Sequence, residues 1–171
     1  MRVIRHLGTI SLVGLLPLAL AGCGGDSGGG DDRAKVDAVE QQAVEAVDGV
    51  LHDVAEQTGA TFVGGNRFFS PCGPPYAPRG VVMVSFLQLG PAEKLASDDE
   101  AADLAGTLLE DDGWAVERGK EGAVVRGTKG ELKLKIEFGV ATVFSIDTEC
   151  IEVSRGVGED YDELDIEVRW P

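Results

Sequence analysis

The chain predicts an α+β fold, a single domain in which two helices pack on one face of an antiparallel sheet. Three observations lead there. Apolar residues recur at helical spacing in two separate stretches, 33–58 and 97–112, the period of a helix that buries one side. The run Glu131-Leu132-Lys133-Leu134-Lys135-Ile136-Glu137-Phe138 alternates strictly between charged and apolar, the period of a strand with one wet face and one dry face. The glycine-bearing links Lys129-Gly130 and Gly139 separate that run from its neighbours, which makes an antiparallel meander the economical connection.

The first helix is read from Val36, Val44, Val47, Leu51 and Val54, with Val39, Ala43 and Val50 flanking the stripe. Asp31 or Asp32 is placed to cap it, and Gly59 to close it in a left-handed conformation. Two strands follow, residues 60–70 with Phe62, Val63, Phe68 and Phe69, and the β-branched run Val81 to Leu89. Between them, Pro71-Cys72-Gly73-Pro74-Pro75-Tyr76-Ala77-Pro78-Arg79-Gly80 holds four prolines. Proline lacks an amide donor and fixes φ, so this stretch predicts an exposed extended loop rather than a central strand.

Ser97-Asp98-Asp99-Glu100 is a capping box, with the serine hydroxyl placed for the Glu100 amide. Ala101, Leu104, Ala105, Leu108 and Leu109 carry the second helix to Gly113, and Trp114 opens a strand. The alternating run 131–138 lies between strands at 123–128 and 140–148, and residues 150–153 continue the last of these. After a loop at 156–162, Leu164, Ile166, Val168 and Trp170 alternate with charged residues and predict a C-terminal strand.

Ahead of the domain, Arg2, Arg5 and His6 precede an apolar run from Leu7 to Leu20, then small residues and Cys23. That order is a signal peptide. The run falls short of the roughly 18–20 residues needed to cross about 30 Å of hydrocarbon, so a permanent span is not expected. An ordinary cut after Ala19-Leu20-Ala21 would release a chain starting at Gly22. Leu20-Ala21-Gly22-Cys23 resembles the lipobox of bacterial lipoproteins, and the resemblance implies a diacylglycerol on the Cys23 sulfur and cleavage before it. Acyl chains, palmitate among them, contribute about 0.8 kcal/mol per buried methylene, so two or three hold a protein stably where one does not. Residues 1–22 are thus read as a leader, 23–33 as the lipidated cysteine with a Gly/Asp tether of about 15–20 Å r.m.s., and 34–171 as the domain.

The chain has 15 Lys and Arg against 30 Asp and Glu, a net charge of −15. Removing the leader takes Arg2 and Arg5 and leaves 13 basic against 30 acidic residues, which disfavours nucleic acid as a partner. The acidic residues are dispersed and form no Asp-x-Asp-x-Asp-Gly loop, so no metal is assigned. With Cys23 committed to lipid, Cys72 and Cys150 remain, and export makes a disulfide the expected state. The alternatives, a reactive thiol pair or a metal pair, lack the C-x-x-C spacing that would recommend them.

Catalytic signatures are sparse. His52 is the one histidine beyond the leader and sits beside the apolar stripe of the first helix. There is no Gly-x-Ser-x-Gly elbow, phosphate loop, His-Glu-x-x-His or dinucleotide fingerprint. An enzyme is not expected, and no cofactor is assigned. Trp114 and Trp170 read as core or rim packing, although an exposed Trp170 would suggest a sugar platform. The stretch least like plain scaffold is the proline loop, where Tyr76 and Arg79 are residue types enriched at binding hot spots.

The lipobox, the Gly/Ser/Asp tether, the helix ending in Gly113-Trp114-Ala115-Val116, the hairpin and Thr148-Glu149-Cys150-Ile151 together resemble the small lipoproteins of actinobacteria. The resemblance implies address and architecture only: a cell-membrane lipoprotein on the extracytoplasmic face. The expected function is a non-catalytic envelope module that binds a protein or cell-wall partner through Tyr76 and Arg79. A second reading is a small solute or lipid carrier with a pocket between helices and sheet. A third, further behind, is a wall-glycan hydrolase with two carboxylates facing one cleft.

Overall fold

Residues 28–119 and 123–170 are described by a computed structural model. The expected leader, Cys23 and residues 24–27 lie outside the described residues. Helix α1 spans Gly28–Ala46, a π-helical turn spans Val47–Leu51, and α2 spans His52–Thr58. The single helix expected here is therefore broken. The break falls at Gly49, whose φ of −99° and ψ of −105° are non-helical, a conformation a residue without Cβ adopts at least cost. Gly59 closes α2 as expected, with φ of 79° and its N–H donated to the Ala55 carbonyl at 2.8 Å.

The start of α1 corrects the tether. Gly28 to Arg33 are its first turns, not coil, and Asp31 lies inside the helix rather than capping it. Two side chains tie these turns to the helix Arg155–Asp162. The Asp32 carboxylate accepts the Ser154 N–H at 2.8 Å, and Arg33 pairs with Asp160. The Ser154 N–H, with Lys35 assisting, holds the Asp32 carboxyl below the usual carboxylate range. An acidic residue in the first turn also faces the positive end of the helix dipole.

The strands are β1 (Phe62–Cys72), β2 (Gly80–Leu89), β3 (Ala115–Arg118), β4 (Val124–Lys129), β5 (Leu132–Glu137), β6 (Thr142–Thr148), β7 (Ile151–Glu152) and β8 (Asp165–Glu167). They form one eight-stranded sheet in the order β3-β4-β5-β6-β2-β1-β8, with β7 paired to β2. Every pairing is antiparallel, and β3 to β6 make the expected meander. Helix α3 (Asp98–Asp111) lies between β2 and β3. Its cap is the expected one: Ser97 Oγ accepts the Glu100 N–H at 3.2 Å. The Glu100 carboxylate reaches one residue further back than the motif requires, to the Ala96 N–H at 2.9 Å.

Helix α4 (Arg155–Asp162) replaces the loop expected at 156–162. Two glycines make it a poor helix by propensity, but Val157 and Tyr161, four apart, are both buried. The C-terminal strand is shorter than expected, with three residues paired to β1. Among the described residues the molecule is thus α+β with three helical bodies (α1 with α2, α3, and α4) rather than two, and one disulfide, Cys72–Cys150.

Alternation sorts the sheet. Met83, Ser85, Leu87 and Leu89 of β2, Leu132, Leu134 and Ile136 of β5, and Thr142, Phe144, Ile146 and Thr148 of β6 are buried. The apolar ones join one cluster with Val36, Leu51, Val54, Ala105 and Leu109 of the helices. Of the opposite parity, Lys133, Glu137, Phe86 and Gln88 are exposed, and Val84, Lys135, Ser145 and Asp147 are part-covered.

Tyr161 fastens α4 to this cluster. Its ring lies 5.0 Å from that of Phe69 and its hydroxyl donates to the Asp37 carboxylate of α1. Burial, then the Asp37 hydrogen bond, pushes the phenol up to about 12. An unfolded chain ionises this phenol near 10, so the stability it contributes is complete below pH 10 and is lost as pH rises from 10 to 12. Two units correspond to roughly 3 kcal/mol. Urea midpoints at pH 9 and 11.5 should therefore fall more steeply for the native chain than for Tyr161→Phe, and equal slopes would show that the phenol contributes nothing.

Candidate functional site

Loop 73–79 joins β1 to β2, and its geometry follows from its residues. Pro71 sits within β1, opposite Val81. It is tolerated there because β8 pairs only with Asn66 to Phe68, so β1 has a free edge at Pro71. Gly73 takes φ of 103°, a left-handed value that favours glycine. The chain then folds back. The Ala77 N–H donates to the Pro74 carbonyl at 2.9 Å, and the Arg79 N–H to the Cys72 carbonyl at 2.9 Å.

A second fastening comes from the other end of the chain. The Cys72–Cys150 bridge, with Cα atoms 5.8 Å apart, joins the last residue of β1 to the residue before β7. The Val153 N–H donates to the Arg79 carbonyl at 3.0 Å. This approach depends on Gly80, where a Cβ would lie 2.1 Å from the Ile151 carbonyl oxygen. The loop base is therefore held by backbone hydrogen bonds, a disulfide and a close backbone contact.

Tyr76 and Arg79 are brought onto this one loop, both exposed. Tyr76 is 91% exposed, and Arg79 forms no ion pair among the described residues. Between the base of the loop and α4 lies a cleft of about 100 Å³, lined by Pro71, Pro78, Gly80, Val153, Arg155 and Asp162 among others but not by Tyr76 or Arg79. Small as it is, it suits one side chain rather than a drug-sized ligand, whose pockets run to about 300–1,000 Å³. The loop thus offers an exposed aromatic ring and guanidinium.

The other candidate residues resolve differently. Trp170 is half-buried against Phe62, His52 and Phe144, and its indole N–H donates to the Val47 carbonyl at 3.2 Å. It packs on these rings, and it also lines an open hollow. Trp114 is buried and donates to Asp112 at 3.1 Å. His52 lies at the edge of the core, as expected. Sequence reasoning missed its neighbours: ligand atoms of His52, Asp53 and Glu56 lie within 4.8 Å of one another. One imidazole and two carboxylates are donors a divalent ion accepts, and all three project from one short helix. Glu56 and His52, but not Asp53, line an open hollow of about 580 Å³ beside Trp170. Helical spacing of His52 and Glu56 was the signal available for this grouping.

Arg67 and Glu40 pair at 2.9 Å with both side chains largely covered, a contact between β1 and α1 that the chain pattern did not announce. No helix among the described residues is long and apolar enough to cross a membrane. Compared with known proteins, the chain matches no protein-family model, no curated protein and no solved structure.

Proposed function

We propose that the chain is a bacterial lipoprotein, anchored by acyl chains on Cys23 to the extracytoplasmic face of a membrane, and that it is a non-catalytic module binding an envelope protein or wall component through loop 73–79. The helices form one layer over the sheet, and the loop projects from its end. The observation that carries the binding reading is Tyr76, 91% exposed at the tip of a loop whose base is tied to Cys150 by a disulfide. An aromatic ring held open to solvent on a rigid base meets a partner with little ordering cost. Arg79 adds a planar donor for a carboxylate or carbonyl.

Anchoring rests on Leu20-Ala21-Gly22-Cys23. Cys23→Ser removes the acyl acceptor, and the variant should leave the membrane fraction, whereas the native chain stays with it after a high-salt wash. Retention of the variant in the membrane would refute the lipid anchor. The start of α1 at Gly28 leaves Gly24 to Ser27 between the lipidated cysteine and the first helix, so the domain would stand close to the headgroups.

A further inference from the structure

We infer that the open face of the sheet is the interface of a symmetric homodimer of this chain. The strand registers set its side chains in rows, of which two run the full width from β5 to β8, while a third, Glu137, Val143, Gln88 and Gly64, stops at β1. Of the two, one runs Lys135, Ser145, Phe86, Asn66, Glu167; the other Lys133, Asp147, Val84, Phe68, Asp165. Each of the two is basic at β5, apolar about β2 and acidic at β8. Phe86 is 40% exposed at the centre, beside half-covered Val84 and Phe68.

The charges are placed symmetrically about that centre. β5 and β8 each lie two strands from β2, about 10 Å at 4.8 Å per strand. A two-fold axis running along β2, between two copies face to face, carries β8 of one protomer over β5 of its partner. Because the axis is parallel to the strands, each row meets its own counterpart. Lys135 then faces the second copy's Glu167, Lys133 faces Asp165, and Phe86 and Val84 meet their equivalents. This is the aligned packing of two sheets, with strand directions within about 30°, and the isologous form of a closed dimer.

The charges are free to re-pair. Lys135 now holds Glu137 at 2.8 Å, Lys133 holds Glu149 at 3.1 Å and Glu167 holds Arg169 at 2.9 Å, all exposed pairs of the kind that contribute little. Asp165 accepts only the Asn66 amide. Asp147, the other charge between β5 and β8 in these rows, lies across from Lys133 of its own chain. The overlapping face, β5 to β8, measures roughly 19 by 17 Å, about 320 Å² on each protomer, below the size of a stable interface, so the dimer is weak and transient, with a dissociation constant on the order of tens of micromolar.

Charge reversal tests the pairing. Sedimentation equilibrium of the chain as recovered from cells, in density-matched nonionic detergent, should show a concentration-dependent monomer and dimer. Lys135→Glu and Glu167→Lys should each weaken the dimer by about tenfold or more, and the double variant should return to within about threefold of the native chain. The two single changes move net charge in opposite directions, so a merely global charge effect would weaken one and strengthen the other. Circular dichroism establishes that all three variants fold. A monomer at about 100 μM would overturn the proposal. Unaltered single variants, opposite shifts, or a double variant no better than the singles would overturn it equally.

Discussion

Replacing Cys72 and Cys150 together with serine is expected to lower the stability of the folded chain by about 4 kcal/mol. The two cysteines are 78 residues apart, and the bridge removes from the unfolded ensemble every conformation in which they are distant. That entropy grows only logarithmically with loop length, yet at this separation it is a large share of the roughly 5–15 kcal/mol that holds a domain together. The same bridge anchors loop 73–79, so its loss should free Tyr76 and Arg79 before the sheet unfolds. Urea denaturation of the native chain and the double serine variant reads both effects, as a lower midpoint and a larger m-value from a more expanded unfolded state. A loss below about 1 kcal/mol would mean that the hydrogen bonds of Arg79 to Cys72 and Val153 hold the loop alone.

Phe144→Ala is expected to cost about 3–5 kcal/mol. Phe144 is fully buried on β6, between Leu87 of β2 and Ile136 of β5 in the register, with the Trp170 ring 6.3 Å away. Truncation leaves a void bounded by paired strands that have little freedom to close it. Trp170 should lose part of its seat, so the folded variant should also show red-shifted tryptophan emission. Unchanged stability with unchanged emission would mean that the C-terminal segment does not pack on this core.

These effects locate what was legible from residues alone. Period-two alternation in 131–138 is unambiguous because each apolar residue there is buried and each lysine faces water. The cap at Ser97 was equally readable, being a contact between residues three apart. The break at Gly49 was hidden because the apolar stripe continues through it, with Val47, Val50 and Leu51 all buried on the far side of the irregular turn. Gly28 to Arg33 read as coil by composition, and their helix is fastened by partners 122 and 127 residues away. Helix α4 was masked by Gly156 and Gly158, since its support is the tertiary burial of Val157 and Tyr161.

The candidate sites divide in the same way. Tyr76 and Arg79 were readable because prolines dictate an exposed loop whatever surrounds them. The Arg67 and Glu40 pair and the two charged rows of the open face were not, because each depends on a register summed over several strands. A one-residue slip anywhere between β5 and β8 would move half of those rows into the core.

The central claim is that Tyr76 and Arg79 engage a partner at the cell envelope, and the most direct measurement is cross-linking capture from intact cells. The native chain is compared with a Tyr76→Ala, Arg79→Ala variant shown to be folded and membrane-associated. Both side chains are exposed, so the variant should keep its stability to within about 0.5 kcal/mol. A partner captured by the native chain and lost in the variant is the expected result. Capture of the same partner by both, or by neither, would contradict the loop as the binding site.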